Sequence, residues 1–135
     1  MATPSQRSFS TSVKEKANIA VIGAGWWSQG WHIPHLHRNP GAHLIAIVDT
    51  AKHPKSSLNP NLEPLSVLSD KYGATTFSSV SDLLSDPLVG PTLDGVIVAT
   101  PHATHYAVGE EILKENQKRQ AAGKSPIHIL MEKRK

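Results

Sequence analysis

Asn18-Ile19-Ala20-Val21-Ile22-Gly23-Ala24-Gly25-Trp26-Trp27-Ser28 is the stretch whose reading decides the fold. Its first half is a short β-branched run closed by glycine, without polar alternation, as expected of a strand buried on both faces. Its second half fits G-x-G-x-x-S, with serine where a third glycine or alanine is usual. The first glycine, Gly23, permits a tight turn. The second, Gly25, lets a backbone approach a pyrophosphate with no Cβ in the way, and Ser28 is small enough for close packing of helix on strand. A helix N-terminus behind the loop offers unpaired N–H groups and a partial positive charge to phosphates. The motif gains weight from its context, after a strand and at the head of a strand–helix–strand unit. A ligand-free glycine turn is the alternative reading.

Moving outward, a helix is expected from about Trp26 to Arg38, kinked or shortened by Pro34, and Asn39-Pro40-Gly41 stops it. His43 to Asp49 reads as the second strand. Thr50 to Glu63, with two prolines and a third directly after it at Pro64, reads as a loop. Leu62, Leu65, Val67, Leu68 and Tyr72 space as a helix face that Gly73 ends. Thr75-Thr76-Phe77 is a short strand, and Ser79 or Ser81 caps a helix through Leu84. Asp94 to Thr100 is the clearest strand. A long helix from about Thr104 to Gln120 has Tyr106, Val108, Ile112 and Leu113 as its apolar residues. Gly123 stops it before a last strand, Ile127 to Met131. Strands that alternate with helices and read as continuous apolar runs predict an α/β fold, a Rossmann-type doubly wound parallel sheet of about five strands with helices on both faces.

Composition narrows the field. A chain of 135 residues suits one domain. Residues 1–17, rich in serine and threonine, read as a flexible tail, and 18–135 as the dinucleotide-binding domain. The absence of cysteine excludes disulfides and thiolate metal sites. No apolar run approaches the ~20 residues of a membrane span. A net charge of +3, with both signs mixed along most of the chain, does not argue for nucleic acid. From Lys114 to Lys135, seven basic residues face two acids, the one local bias. The expected location is cytoplasmic; the Ser/Thr-rich tail, with Arg7 and Lys14, has the composition of a mitochondrial presequence as the alternative.

Asp49 ends the second strand, 24 residues after Gly25. An acid there accepts hydrogen bonds from adenosine ribose hydroxyls and repels a 2′-phosphate, so NAD is expected over NADP. Lys52, His53 and Lys55 follow closely and offset part of the repulsion. Trp26, Trp27 and Trp31 are all the tryptophans of the chain. Trp27 and Trp31 share a helix face. At least one is expected in the core, and Trp26 or Trp27 is expected to wall the cofactor. His32, His35 and His37 are read as surface or packing residues, with no metal site. Thr100-Pro101-His102-Ala103-Thr104-His105 follows the fourth strand at the end where open parallel sheets bind ligands. There His102 is placed to face the ligand and His105 to orient the turn. Glu132 and Lys133 follow the fifth strand, and a lysine at that end can polarise a carbonyl or exchange a proton. A solvated charged terminus is the simpler reading of these two from their chemistry alone.

Taken together, Gly23-Ala24-Gly25, His32-Ile33-Pro34-His35-Leu36, Pro40-Gly41, Leu44 to Asp49, Tyr72-Gly73, Val98 to His105 and Met131-Glu132-Lys133 occur in the order of one family. From Asn18 to Lys133 the chain resembles the N-terminal domain of the Gfo/Idh/MocA (glucose-fructose oxidoreductase, inositol dehydrogenase, MocA) oxidoreductases. The resemblance implies an NAD(P)-dependent enzyme moving a hydride between nicotinamide and a sugar, cyclitol or related alcohol or ketone. It places the lysine of a Glu-Lys-Pro motif, here Lys133, near the nicotinamide as the catalytic residue. It maps the family's Thr-Pro-Asn…His turn onto Thr100, Pro101, His102 and His105, where His102 departs from asparagine. Arg134 stands in place of the family's proline, and the large second domain that builds the substrate pocket does not follow. The chain is therefore expected to be a truncated form. It should bind a dinucleotide, take a small-molecule substrate only when a second domain is supplied, engage neither nucleic acid nor membrane, and turn nothing over alone. A non-catalytic dinucleotide-binding or protein-interaction module is the alternative.

Overall fold

The computed structural model describes residues 16–56 and 60–131, so nearly all of the tail expected at residues 1–17 lies outside the described residues. Five strands, β1 (Ala17–Ile22), β2 (Ala42–Val48), β3 (Thr75–Phe77), β4 (Gly95–Val98) and β5 (His128–Met131), form one sheet in the order β3-β2-β1-β4-β5. Every pairing is parallel. The helices are α1 (Ile33–Arg38), α2 (Leu65–Tyr72), α3 (Val80–Ser85) and α4 (His105–Ala121). This is the Rossmann-type sheet expected from the run pattern, with strand ends within two residues of those read from the sequence. Among the described residues no helix is long and apolar enough to cross a membrane.

The sheet separates two cores. Ala20, Ile22, Val96 and Val98 face Leu83 of α3 and Val108 and Ile112 of α4. Val21 and Ile47 face Ile33 of α1 and Leu65 and Leu68 of α2. Since side chains alternate along a strand, central strands covered on both faces must be apolar at every position. A register shift makes this work in β2: Ile19 pairs with Leu44 and Ala20 with Ala46, so Ile45 is an extra residue. The bulge resets the alternation, leaving Leu44 and Ile47 in one core and Ala46 and Val48 in the other.

Local signals account for the element ends. The Ser79 hydroxyl accepts the Asp82 N–H at the start of α3, and Gly73 and Gly123 stop α2 and α4 in left-handed conformations. The helix after the glycine loop differs in form from the expectation. It begins at Trp26 and passes through a π-helical turn, Ser28–His32, in which the Ile33 N–H donates to the Ser28 carbonyl. Pro34 then enters at the first turn of α1, directly after the widened turn. The helix thus continues to Arg38 through a widened turn.

Two expected helix faces are corrected. Leu62 is buried but precedes α2, and Val67 is 38% exposed. In α4, Tyr106 is 78% and Leu113 58% exposed. Val108 and Ile112 are buried as expected, and His105, Gly109 and Arg119 join them, spaced as one helical face. Gly109 belongs there because a Cβ would stand 2.8 Å from Met131 Cε of β5. Arg119 belongs there because its guanidinium donates to the carbonyls of Leu93 (3.0 Å), Ser125 (3.2 Å) and Gly90 (2.7 Å). Glu115 lies 3.7 Å from its Nε. The side chain therefore ties the end of α4 to the segment that leads into β4. Arg119→Leu would leave the Leu93 and Gly90 carbonyls without this donor and is expected to destabilise the fold by about 3 kcal/mol. Urea unfolding checks this as a lower midpoint at unchanged m-value.

Candidate functional site

The strand order reverses between β1 and β4, because one crossover runs from β1 to β2 on one side and the other returns to β4 on the opposite side. Loops leaving the carboxyl ends diverge there and leave a crevice. A cleft of about 690 Å³ occupies that place. Gly23 and Gly25 from the end of β1, Asp49 after β2, and Thr100 and Pro101 after β4 all line it, together with Trp26 and Trp27.

The two glycines have separate roles. Gly23 has φ +102°, and a Cβ there would stand 2.8 Å from the Ala99 carbonyl oxygen and 3.0 Å from Thr100 N. Its glycine allows the turns after β1 and β4 to pass at backbone distance. Gly25 has no positive φ, and a Cβ added to it would meet nothing within 4 Å. The space before it belongs to the cleft. Helical bonding begins with the Gln29 N–H donating to the Gly25 carbonyl at 3.0 Å, so the first turn of the helix opens on the same space.

Asp49 is held by backbone. One carboxylate oxygen accepts the Ala24 N–H at 2.8 Å, inside the glycine loop, and the other accepts the Ala51 N–H at 2.9 Å. Each oxygen keeps further acceptor capacity. Of the three basic residues expected to offset the charge of Asp49, only Lys55 lines the cleft. Lys52 and His53 lie at the surface, and the His53 ring is 3.1 Å from the Leu62 carbonyl.

At the third wall His105 Nε2 lies 2.9 Å from the Thr100 carbonyl. It does not line the cleft. His102 opens a 3-10 turn, His102–Thr104. Glu132 and Lys133 lie outside the described residues, directly after β5, whose Met131 is level with Val98 of β4. Two hydroxyls on the cleft, Ser28 Oγ and Thr100 Oγ1, are buried without a hydrogen-bond partner. Orphaned polar atoms of this kind mark a place for a polar ligand or water.

None of the three tryptophans belongs to the core, contrary to expectation. Trp27 and Trp31 stack at 5.7 Å between ring centroids, Trp26 meets Trp27 edge-on at 5.3 Å, and Trp31, 48% exposed, lies against the His35 ring at 4.1 Å. Positions 27, 31 and 35 are four apart and stack along one helix face, while Ile33 turns into the core. His32 is buried against Trp27, and His37 meets the Tyr72 ring. No group of three or more metal-ligating side chains forms among the described residues. Sequence reading missed Ser78 and Ser79 on the cleft and Gln29 behind it. Gln29 acts through partners 34 residues away, which no local pattern reveals.

The model of the Gfo/Idh/MocA oxidoreductase family, NAD-binding Rossmann fold, matches residues 17–133. The chain belongs to this family. It is similar in structure to the WlbA dehydrogenase of Bordetella pertussis, solved with NADH and UDP-GlcNAcA (28% identity, TM-score 0.60, covering 87% of this chain and 29% of that one). It is also similar to GenD2 from gentamicin A biosynthesis, solved with NAD (25% identity, TM-score 0.57, covering 89% and 27%). The 3-ketoreductase KijD10 of Actinomadura kijaniata, solved with NADP and TDP-benzene, shares the fold (22% identity, TM-score 0.57, covering 87% and 29%). The chain thus spans less than a third of the length of these relatives. No curated protein matches it significantly.

The contrast between the glycines is testable by stability. Gly23→Ala forces a side chain into a positive-φ site against backbone and is expected to destabilise by about 2–4 kcal/mol. Gly25→Ala meets open space and should stay within about 1 kcal/mol of the wild type. Urea denaturation of both variants decides it, and the reverse ranking would show that the roles are exchanged.

Proposed function

We propose that the cleft binds the dinucleotide of an NAD-dependent oxidoreductase. The observation that carries this is the linkage of Asp49 to the glycine loop: its carboxylate accepts the Ala24 N–H at 2.8 Å, next to the open space at Gly25. The loop that would donate to the pyrophosphate and the carboxylate that would accept from the ribose hydroxyls are thus held in fixed relation. Gly25 and the first turn of the helix would take the pyrophosphate, Asp49 the adenosine ribose hydroxyls, and Trp26, Trp27, Thr100 and Pro101 the walls toward the nicotinamide. Ser28 and Thr100, whose buried hydroxyls have no hydrogen-bond partner, both lie on this cleft.

Bound nicotinamide supplies a carbon that exchanges a hydride with an alcohol or ketone carbon. The remaining tasks belong to protein groups. Substrate must be held at near-attack distance with water excluded, and a proton must leave or reach the substrate oxygen. By family resemblance we assign the proton exchange to Lys133 and the placing of the turn opposite to His102 and His105. Sugars, cyclitols and related alcohols are the substrate class. The nucleotide sugar named for WlbA, 28% identical to this chain, supports this assignment.

NAD is the proposed cofactor and NADP the weaker ligand, since the negative charge of Asp49 opposes a 2′-phosphate while Lys55 offsets it only in part. Titration of the chain with NAD is expected to quench tryptophan fluorescence through Trp26 and Trp27, and Gly25→Val should abolish the effect. Asp49→Asn, which keeps the shape and one acceptor, should weaken NAD by about tenfold and narrow the gap to NADP. Equal affinities for NAD and NADP in the wild type would overturn the preference, and undiminished binding by Gly25→Val would overturn the site.

A further inference from the structure

The side-chain amide of Gln29 makes three backbone hydrogen bonds. Its Nε2 donates to the Ala24 carbonyl at 2.9 Å and to the Glu63 carbonyl at 3.0 Å, and its Oε1 accepts the Glu63 N–H at 2.9 Å. The partners fix the orientation of the amide, because a flip would set Oε1 against two carbonyls and Nε2 against an N–H. Glu63 is held at both its backbone groups, as a paired strand residue would be. One of the three bonds ends within the glycine loop.

The neighbours of Glu63 extend the link. The Leu65 N–H donates to the Lys52 carbonyl at 2.8 Å, and the Leu62 carbonyl is 3.1 Å from His53 Nε2. Lys52 and His53 sit between Ala51 and Pro54, and both of the latter line the cleft beside Asp49. A path of hydrogen bonds therefore runs from Ala24 through Gln29 to Glu63, and on to the cleft wall after β2. That wall lies in a connection without helix or strand among its described residues. An irregular segment ordered only on binding would charge its ordering entropy to the ligand. Gln29 fastens the segment beforehand, from the rigid side of the cleft.

We infer that Gln29 is a positioning residue that pre-forms the adenosine-side wall of the cleft by joining the segment around Glu63 to the glycine loop. The inference rests on the dinucleotide reading proposed above. Gln29 does not line the cleft, so its effect passes through Glu63 and Ala24.

The test uses Gln29→Met, which keeps the length and removes all three bonds, and Gln29→Glu, which keeps the acceptor for the Glu63 N–H and loses both donated bonds. NAD and ADP-ribose affinities are measured by titration calorimetry, and amide hydrogen exchange is followed with and without NAD. Gln29→Met is expected to weaken NAD and ADP-ribose equally, by about tenfold, and Gln29→Glu should weaken both. In the wild type the amides of Glu63 and Leu65 should be protected with or without NAD. In Gln29→Met they should exchange fast when free and regain protection on binding, while the strands keep wild-type protection. A merely structural role would instead raise exchange throughout the sheet and leave the affinity of the folded fraction unchanged, which would overturn the inference. Wild-type affinity with unaltered exchange at Glu63 in Gln29→Met would overturn it as well. If the wild type itself binds neither NAD nor ADP-ribose, the dinucleotide reading falls and the inference falls with it. Loss confined to the variants separates the two outcomes.

Discussion

The close passage of two backbones at Gly23 is the constraint on which the rest of the structure depends. β1 and β4 are parallel neighbours, and the turn after β1 must clear the chain leaving β4. At Gly23 that clearance is too small for a Cβ, which would lie 2.8 Å from the Ala99 oxygen. The positive φ at the same residue turns the chain into the glycine loop. Without this contact β4 could not lie beside β1 with both carboxyl ends level, and the reversal of strand order would open no crevice between them. The crevice that Thr100 lines, with Asp49 on its other side, opens beside that approach.

Hydrogen bonds extend this rigidity past the formal strand ends. The Gly23 N–H donates to the Val48 carbonyl at 2.6 Å, the Ala99 N–H to the Ile22 carbonyl at 2.8 Å, and the Asp49 N–H to the Phe77 carbonyl at 3.1 Å. The first residue of each of three loops is thus still part of the parallel ladder. Functional loops gain precision when the scaffold holds their roots. Here the roots are aligned across four neighbouring strands, so Gly23, Asp49 and Ala99 keep fixed mutual positions whatever the loop tips do.

How much of this was legible in the sequence depended on the range of the interaction. Strand runs such as Gly95 to Val98 were legible because burial on two faces demands apolar residues throughout. Ser79 and Gly73 were legible because a cap or a stop acts within three or four residues. The inward face of α4 was legible only at Val108 and Ile112. The rule that apolar residues turn inward pointed to Tyr106 and Leu113, while the helix buries Gly109 against Met131 and Arg119 against three carbonyls. Small size and backbone-directed charge are rewarded only by partners that arrive through the fold. The bulge at Ile45 was hidden for the same reason, since a register shift is a property of two strands. Within the site, Gly23, Gly25 and Asp49 stand in a known spacing, but the mutual stacking of the tryptophans and the reach of Gln29 depend on tertiary geometry.

At the tryptophans a strong local spacing meets a widened turn. Residues four apart on a regular helix lie nearly above one another, and Trp27, Trp31 and His35 keep that relation across the π-helical turn. The wider turn sits between the glycine loop and Pro34, so it absorbs the proline without breaking the helix whose N-terminus faces the cleft. A break at that point would have left α1 free to reorient and would have separated Ile33, fully buried on one core, from Trp27 on the cleft wall. The continuous helix instead couples them. Packing of Ile33 against Val21 and Ile47 fixes the rotation of the helix about its axis, and that rotation sets which aromatic faces reach the cleft. The aromatic wall of the site is therefore positioned by core packing on the opposite side of the same helix, which the widened turn keeps continuous past Pro34.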